Sequence, residues 1–61
     1  MNVKELITRL LECNMEAKVY LSIDSEGNAY GTVEQGSVEQ YNDIIIFYPY
    51  DEGLTYEDIF N

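Results

Sequence analysis

Histidine and tryptophan are missing from these 61 residues, and cysteine and proline each occur once. The lack of histidine removes the side chain most used for proton transfer near neutral pH. A single thiol, Cys13, rules out an internal disulfide and, without histidine, leaves no tetrahedral set of zinc ligands. Cys13 falls at the end of a predicted helix, where the dipole disfavours a thiolate, and reads as a small buried or half-buried filler. The expectation is a non-enzymatic chain with no catalytic residue, no metal and no cofactor.

Long apolar runs are absent too. The longest, Ile44 to Tyr50, falls far short of the ~20 residues of a membrane span, so no membrane partner is expected. Met1 to Leu11 mixes charge with apolar residues and holds no export-signal core. With one unpaired thiol, this pattern predicts a cytoplasmic protein, host-cytoplasmic if phage-encoded.

Basic residues are scarce. Lys4, Arg9 and Lys18 are the only three, against 12 acids, for a net charge of −9. All three bases lie in the first 18 positions beside Glu5, Glu12 and Glu16, so that segment is neutral. Residues 19 to 61 hold nine acids, no base and all six tyrosines. Such a field repels phosphate backbones and attracts basic surfaces, which argues against direct nucleic-acid binding. It also confers solubility on a small protein. An apolar fraction of 46% favours a folded domain over an acidic tail.

What is present reads as one α+β domain, residues 1–61. Val3, Leu6, Ile7, Leu10 and Leu11 form an apolar stripe of helical period. Asn2 and Glu5 are placed as a capping box, Asn14 as a left-handed stop, and Glu5 and Arg9 as an i,i+4 pair. "AKVYLSID" alternates as a strand, "DSEGN" supplies turn chemistry, and "AYGTVE" resumes as a second strand weakened or bulged at Gly31. "QGS" is a turn or a bulge, after which Val38, Gln40 and Tyr41 can continue the ribbon. "YND" turns again and "IIIFY" is the third strand, ended by Pro49. "DEG" leaves the sheet, and "LTYEDIF" forms a helical turn capped by Thr55 and Asp58. The predicted architecture is an N-terminal helix packed on a three-stranded antiparallel sheet (αβββ) with a short C-terminal helical turn. Leu6, Leu10, Val19, Leu21, Ile23, Ile44 and Ile46 are its expected core.

Other chemical readings of the sequence are thin. Asp24 to Asn28 lacks the ligand spacing of a full calcium loop. Gly27, Gly31 and Gly36 have no following Lys or Arg to make a phosphate cradle. The pairs Asp51–Glu52 and Glu57–Asp58 fit a solvated face better than a metal or glycosidase site. The interleaving of acids with tyrosines, densest in "FYPYDEGLTYEDIF", is what points to an interface, because tyrosine offers a large rigid surface with a polar tip. Asp24, Glu26, Tyr48, Tyr50, Asp51, Glu52, Tyr56, Glu57 and Asp58 are the candidate partner-binding residues. The alternative for the tyrosines is plain strand propensity on an outward sheet face.

The opening "MNVKELITRL", followed by a strand after the A-x-V step in "MEAKVYL", resembles a loose group of short acidic phage-encoded proteins over residues 1 to 34. That wider class includes inhibitors of host nucleases, transcription and CRISPR effectors, some acting as DNA mimics. The resemblance implies an anti-CRISPR or DNA-mimic type of inhibitor whose partner is a basic, nucleic-acid-binding host protein. Two further readings stand beside it: an oligomer that sequesters a small ligand in a pocket formed between subunits from Ile45, Phe47 and the tyrosines, and a small antitoxin or structural protein. Oligomeric state separates the first two: a monomer favours the mimic, and a homo-oligomer, as a stable dimer or tetramer, favours the sequestering protein.

Overall fold

The computed structural model describes residues 1–60. Its elements, in chain order, are α1 (Val3–Leu10), β1 (Tyr20–Ser22), β2 (Tyr30–Thr32), a 3-10 turn (Gln35–Ser37), β3 (Val38–Tyr41), β4 (Ile44–Phe47), β5 (Glu52–Leu54) and α2 (Tyr56–Phe60). The α+β class predicted from sequence is the one observed.

The start of α1 follows the sequence signal closely. The Asn2 side chain accepts from the Glu5 amide at 2.9 Å, and the Glu5 carboxylate accepts from the Asn2 amide at 3.0 Å, so two orphan donors are satisfied reciprocally. With Glu5 so engaged, Arg9 pairs instead with Glu12 at 3.8 Å. Asn14 does not adopt the left-handed conformation; its side chain accepts from the Glu16 amide at 2.9 Å.

The strands differ from the predicted order. A three-stranded antiparallel sheet runs β1-β2-β5, and β3 and β4 form a separate two-stranded ribbon. The aliphatic run expected as the third strand of one sheet, Ile44–Phe47, therefore lies in the ribbon. Its partner is Val38–Tyr41, with Tyr41 opposite Ile44 and Val38 opposite Phe47. A two-residue loop closes it, with Asn42 at φ 53, a value this residue type tolerates well. The third strand of the sheet is Glu52–Leu54, in the segment expected to leave it. It pairs with β2 through a bulge: Tyr30 faces Leu54 and Gly31 faces Glu52, so Gly53, at φ 96, is the extra residue.

The two sheets meet where the chain passes from β4 to β5. Thr32 N–H donates to the Asp51 carbonyl at 2.7 Å, Tyr50 N–H to the Thr32 carbonyl at 2.8 Å, and Asp51 N–H to the Thr32 hydroxyl at 3.0 Å. Pro49 crosses β2 directly over Gly31. A Cβ at Gly31 would lie 2.5 Å from Pro49 Cβ and 3.0 Å from the Asp51 carbonyl, so the crossing requires glycine.

The expected core does not form in the single chain. Among the described residues no apolar side chain is buried; Ser37 is the buried polar residue, and Gly31 is buried with it. Leu6 and Leu21 are half-buried, while Leu10, Val19, Ile23, Ile44 and Ile46 are exposed. The helix expected to cover the sheet has no buried residue. Cys13 is exposed rather than a filler, held at the end of α1 by the Arg9 guanidinium, which donates to its sulfur at 3.4 Å. The physical reason is that the longest aliphatic strand pairs with its nearest neighbour in sequence, which carries Ile44–Phe47 away from β1 and β2 and leaves α1 without a broad sheet to cover.

Candidate protein-binding surface

The ribbon presents two chemically distinct faces. Residues directly opposite on an antiparallel pair point the same way, so Glu39, Tyr41, Ile44 and Ile46 share one face. Tyr48 joins them, because its amide donates to the Ser37 carbonyl at 2.7 Å and extends the ladder by one step. Tyr41, Ile44, Ile46 and Tyr48 are all exposed. The Tyr48 hydroxyl, by hydrogen bonding and then by charge, and after it the Glu39 carboxylate, raise the Tyr41 phenol above its ordinary value of 10.0. The other face carries Ile45 and Phe47, which line an open groove with Val3 and Leu6 of α1.

The predicted partner-binding residues divide into two groups. Asp24 and Asp58 are committed to local structure. The Asp24 carboxylate accepts from the amides of Asn28 at 3.1 Å and Glu26 at 3.0 Å, and from the Asn28 side chain at 3.0 Å. Asn28, first through its backbone and then its side chain, holds the Asp24 pKa below its ordinary value of 3.8. Asp58 accepts from the Thr55 amide at 2.7 Å and the Thr55 hydroxyl at 3.0 Å. Those bonds, the backbone one foremost, lower its pKa in the same way. Both residues build the turns that sequence patterning assigned, and neither is a free anionic contact.

The second group is open. Tyr50, Asp51, Glu52, Tyr56 and Glu57 are exposed, Tyr50 at 73%. Glu26 is exposed in the β1–β2 turn, where it accepts a 3.3 Å bond from Asn28. The structure draws the group to two places. Tyr50 and Asp51 sit at the joint of the two sheets beside Thr32, next to the Tyr41–Tyr48 face of the ribbon. Tyr56 and Glu57 lie on α2, beside the capping Asp58, and this helix folds back over the other face of the sheet. There Phe60 packs edge-on against Tyr30 at 6.1 Å between ring centroids and lies tilted by 30° against Tyr56 at 4.3 Å. Tyr56 is thus partly engaged in an aromatic cluster.

Sequence reasoning missed Glu39 and Tyr41, and it assigned Ile44 and Ile46, which alternate onto the same face as Tyr48, to the core rather than the surface. The signal was the short "YND" loop: once it is taken as a two-residue hairpin, alternation puts these side chains on one face.

Charge completes the description. Among the described residues the one ion pair is Arg9–Glu12, within the N-terminal segment. Among the described residues none of the carboxylates from Asp24 to Asp58 forms an ion pair, although Lys18 shares a cavity with Asp58 and Lys4 one with Asp43. No group of three or more His, Cys, Asp or Glu side chains is arranged to hold a metal ion among the described residues. Among the described residues no helix is long and apolar enough to cross a membrane. No family model matches the chain, and no curated protein or solved structure matches it either.

Proposed function

We propose that this is a non-enzymatic binding protein whose tyrosine-bearing acidic side occupies a basic, nucleic-acid-binding surface of another protein and inhibits it by occupancy. The observation that carries the reading is the ribbon face: Tyr41, Ile46 and Tyr48 stand exposed on the side that bears Glu39, and neither Glu39 nor the exposed Asp51 and Glu52 that follow in the chain form an ion pair among the described residues. Exposed aromatic rings supply contact area at low entropic cost. Carboxylates fixed along strands offer arginine bidentate partners in place of phosphates. The finer assignment, an anti-CRISPR or DNA-mimic inhibitor from a phage, rests on the resemblance of the first 34 residues.

The test uses a basic partner recovered at low salt from extract of a candidate host, with association and dissociation rates then measured against the purified partner. Replacing Glu39, Asp51, Glu52 and Glu57 by Gln or Asn, while sparing the turn-forming Asp24 and Asp58, should slow association about tenfold or more at low salt and little at high salt. Tyr48→Ala should instead speed dissociation. If the neutralised variant associates like the parent at low salt, the carboxylates serve solubility alone and the reading fails.

A further inference from the structure

We infer that the chain forms a homodimer through the apolar stripe of α1, extended by Met15 and Val19, with the acidic strands facing outward. The first argument is area. A folded monomer of 7.1 kDa exposes about 4,100 Å², yet this chain exposes 5423 Å², an excess of about 1,300 Å². The radius of gyration is 12.6 Å, against about 10.5 Å for a compact chain of this length. A standard interface removes ~800 Å² from each partner. The surplus is thus enough for a stable dimer and corresponds to the core that the single chain fails to bury.

The second argument is shape and chemistry. Val3, Ile7, Leu10 and Leu11 are 48–68% exposed, and Met15 and Val19 are 65% and 59% exposed. Ile7, Leu10, Leu11, Met15 and Val19 line one open groove of about 490 Å³ between the helix and the segment leading into β1. The helix residues of the stripe themselves line this concavity, so a twofold axis through it sets one apolar patch against its own copy, as an isologous contact requires.

The third argument is charge, and it selects the second copy as occupant. The stripe lies within the only neutral part of the chain, where Lys4, Arg9 and Lys18 balance Glu5, Glu12 and Glu16. Contact through a face built only from residues 19 to 61 would press together surfaces drawn from a region of nine acids and no base, which repel at close range. A strongly basic partner helix would be drawn to those acidic faces rather than to the neutral one. The dimer leaves the ribbon face of both copies free, so it stands independently of the function proposed above.

Sedimentation equilibrium on the full chain should return twice the 7.1 kDa chain mass, and the thermal midpoint should rise with protein concentration, as linkage requires for a folded dimer. Leu11→Ala truncates a side chain 68% exposed in the single chain. It should raise the dimer Kd about tenfold or more. Ile7→Glu with Leu11→Glu should abolish the dimer; if that double variant does not fold, the Leu11→Ala measurement decides. A single-chain mass with a concentration-independent midpoint overturns the inference. So does a dimer that ignores Leu11→Ala but dissociates on Phe47→Ala, which would move the contact to β4 and favour a ligand pocket between subunits.

Discussion

Asp24 and Asp51 are the same residue type in the same basic-free half of the chain, yet they do different things. Asp24 is saturated by three donors from its own turn, whereas the bonds at Asp51 run through its backbone and leave its carboxylate in solvent. Carboxyl NMR titration should therefore place Asp24 below 3.8. The sign for stability follows from linkage. A carboxyl lowered in the folded state contributes stability above its unfolded value, and that contribution is lost as pH falls through the folded one. Asp24→Asn should accordingly flatten the acid limb of the stability–pH curve below about pH 4. An unchanged limb would show that the turn bonds do not persist in solution. Only part of this was legible beforehand. Asp24 stood out as a turn residue because its pattern is local, but nothing in the residue type separated a saturated acid from a free one.

At the scale of elements, most local signals were read correctly, the Asn14 stop and the Glu5–Arg9 pair excepted, and the long-range pairings were not. The Asn2–Glu5 box, the Thr55–Asp58 cap and the Asn42 turn are each written within four residues, and each forms. Choosing which strand pairs with which is harder, because three- and four-residue strands carry too few alternations to fix a partner. Ile44–Phe47 read as the third strand of a single sheet, but a two-residue loop gave Val38–Tyr41 the first claim on it. Glu52–Leu54 holds a glycine and one apolar side chain, so propensity gave no reason to count it as a strand; its place is set by Tyr30 and by the bulge at Gly53. For α2, a helix of only five residues, the cap and the Phe60 packing must do the holding. Thr55→Ala should destabilise it by about 0.5–2 kcal/mol. Amide exchange of residues 56 to 60 should speed up while β3 and β4 are unaffected. Equal acceleration in the ribbon would mean that α2 and the ribbon unfold as one unit.

At the scale of the whole molecule, the joint between the two sheets decides whether the chain acts as one body. The crossing of Pro49 over Gly31 was invisible in the sequence, where the two lie far apart and Gly31 reads as a weak point in a strand. Its role is instead to let another backbone come close. Gly31→Ala should cost about 1–3 kcal/mol, the usual range for forced overpacking. Gly36→Ala, where an added Cβ meets nothing within 4 Å, is the matched control. Comparable denaturation midpoints for the two would show that the joint is loose. The apolar surface of α1 was legible as a stripe but not as an exposed one, since periodicity marks which side chains want covering and says nothing about what is near enough to cover them.

The ribbon's short loop also orders events in time. Tyr41 and Ile44 pair across two residues, and the whole β3–β4 register is built from contacts near in sequence, so this hairpin can close on the microsecond scale usual for hairpins. The β2–β5 pairing must wait until about 20 residues between Gly31 and Glu52 have been gathered in, at the loop-closure entropy such a span costs. The hairpin, from Val38 to Phe47, already occupies about half of that intervening stretch, so its early closure shortens the effective loop that remains. The tyrosine-bearing face would then exist before the sheet beside it is complete.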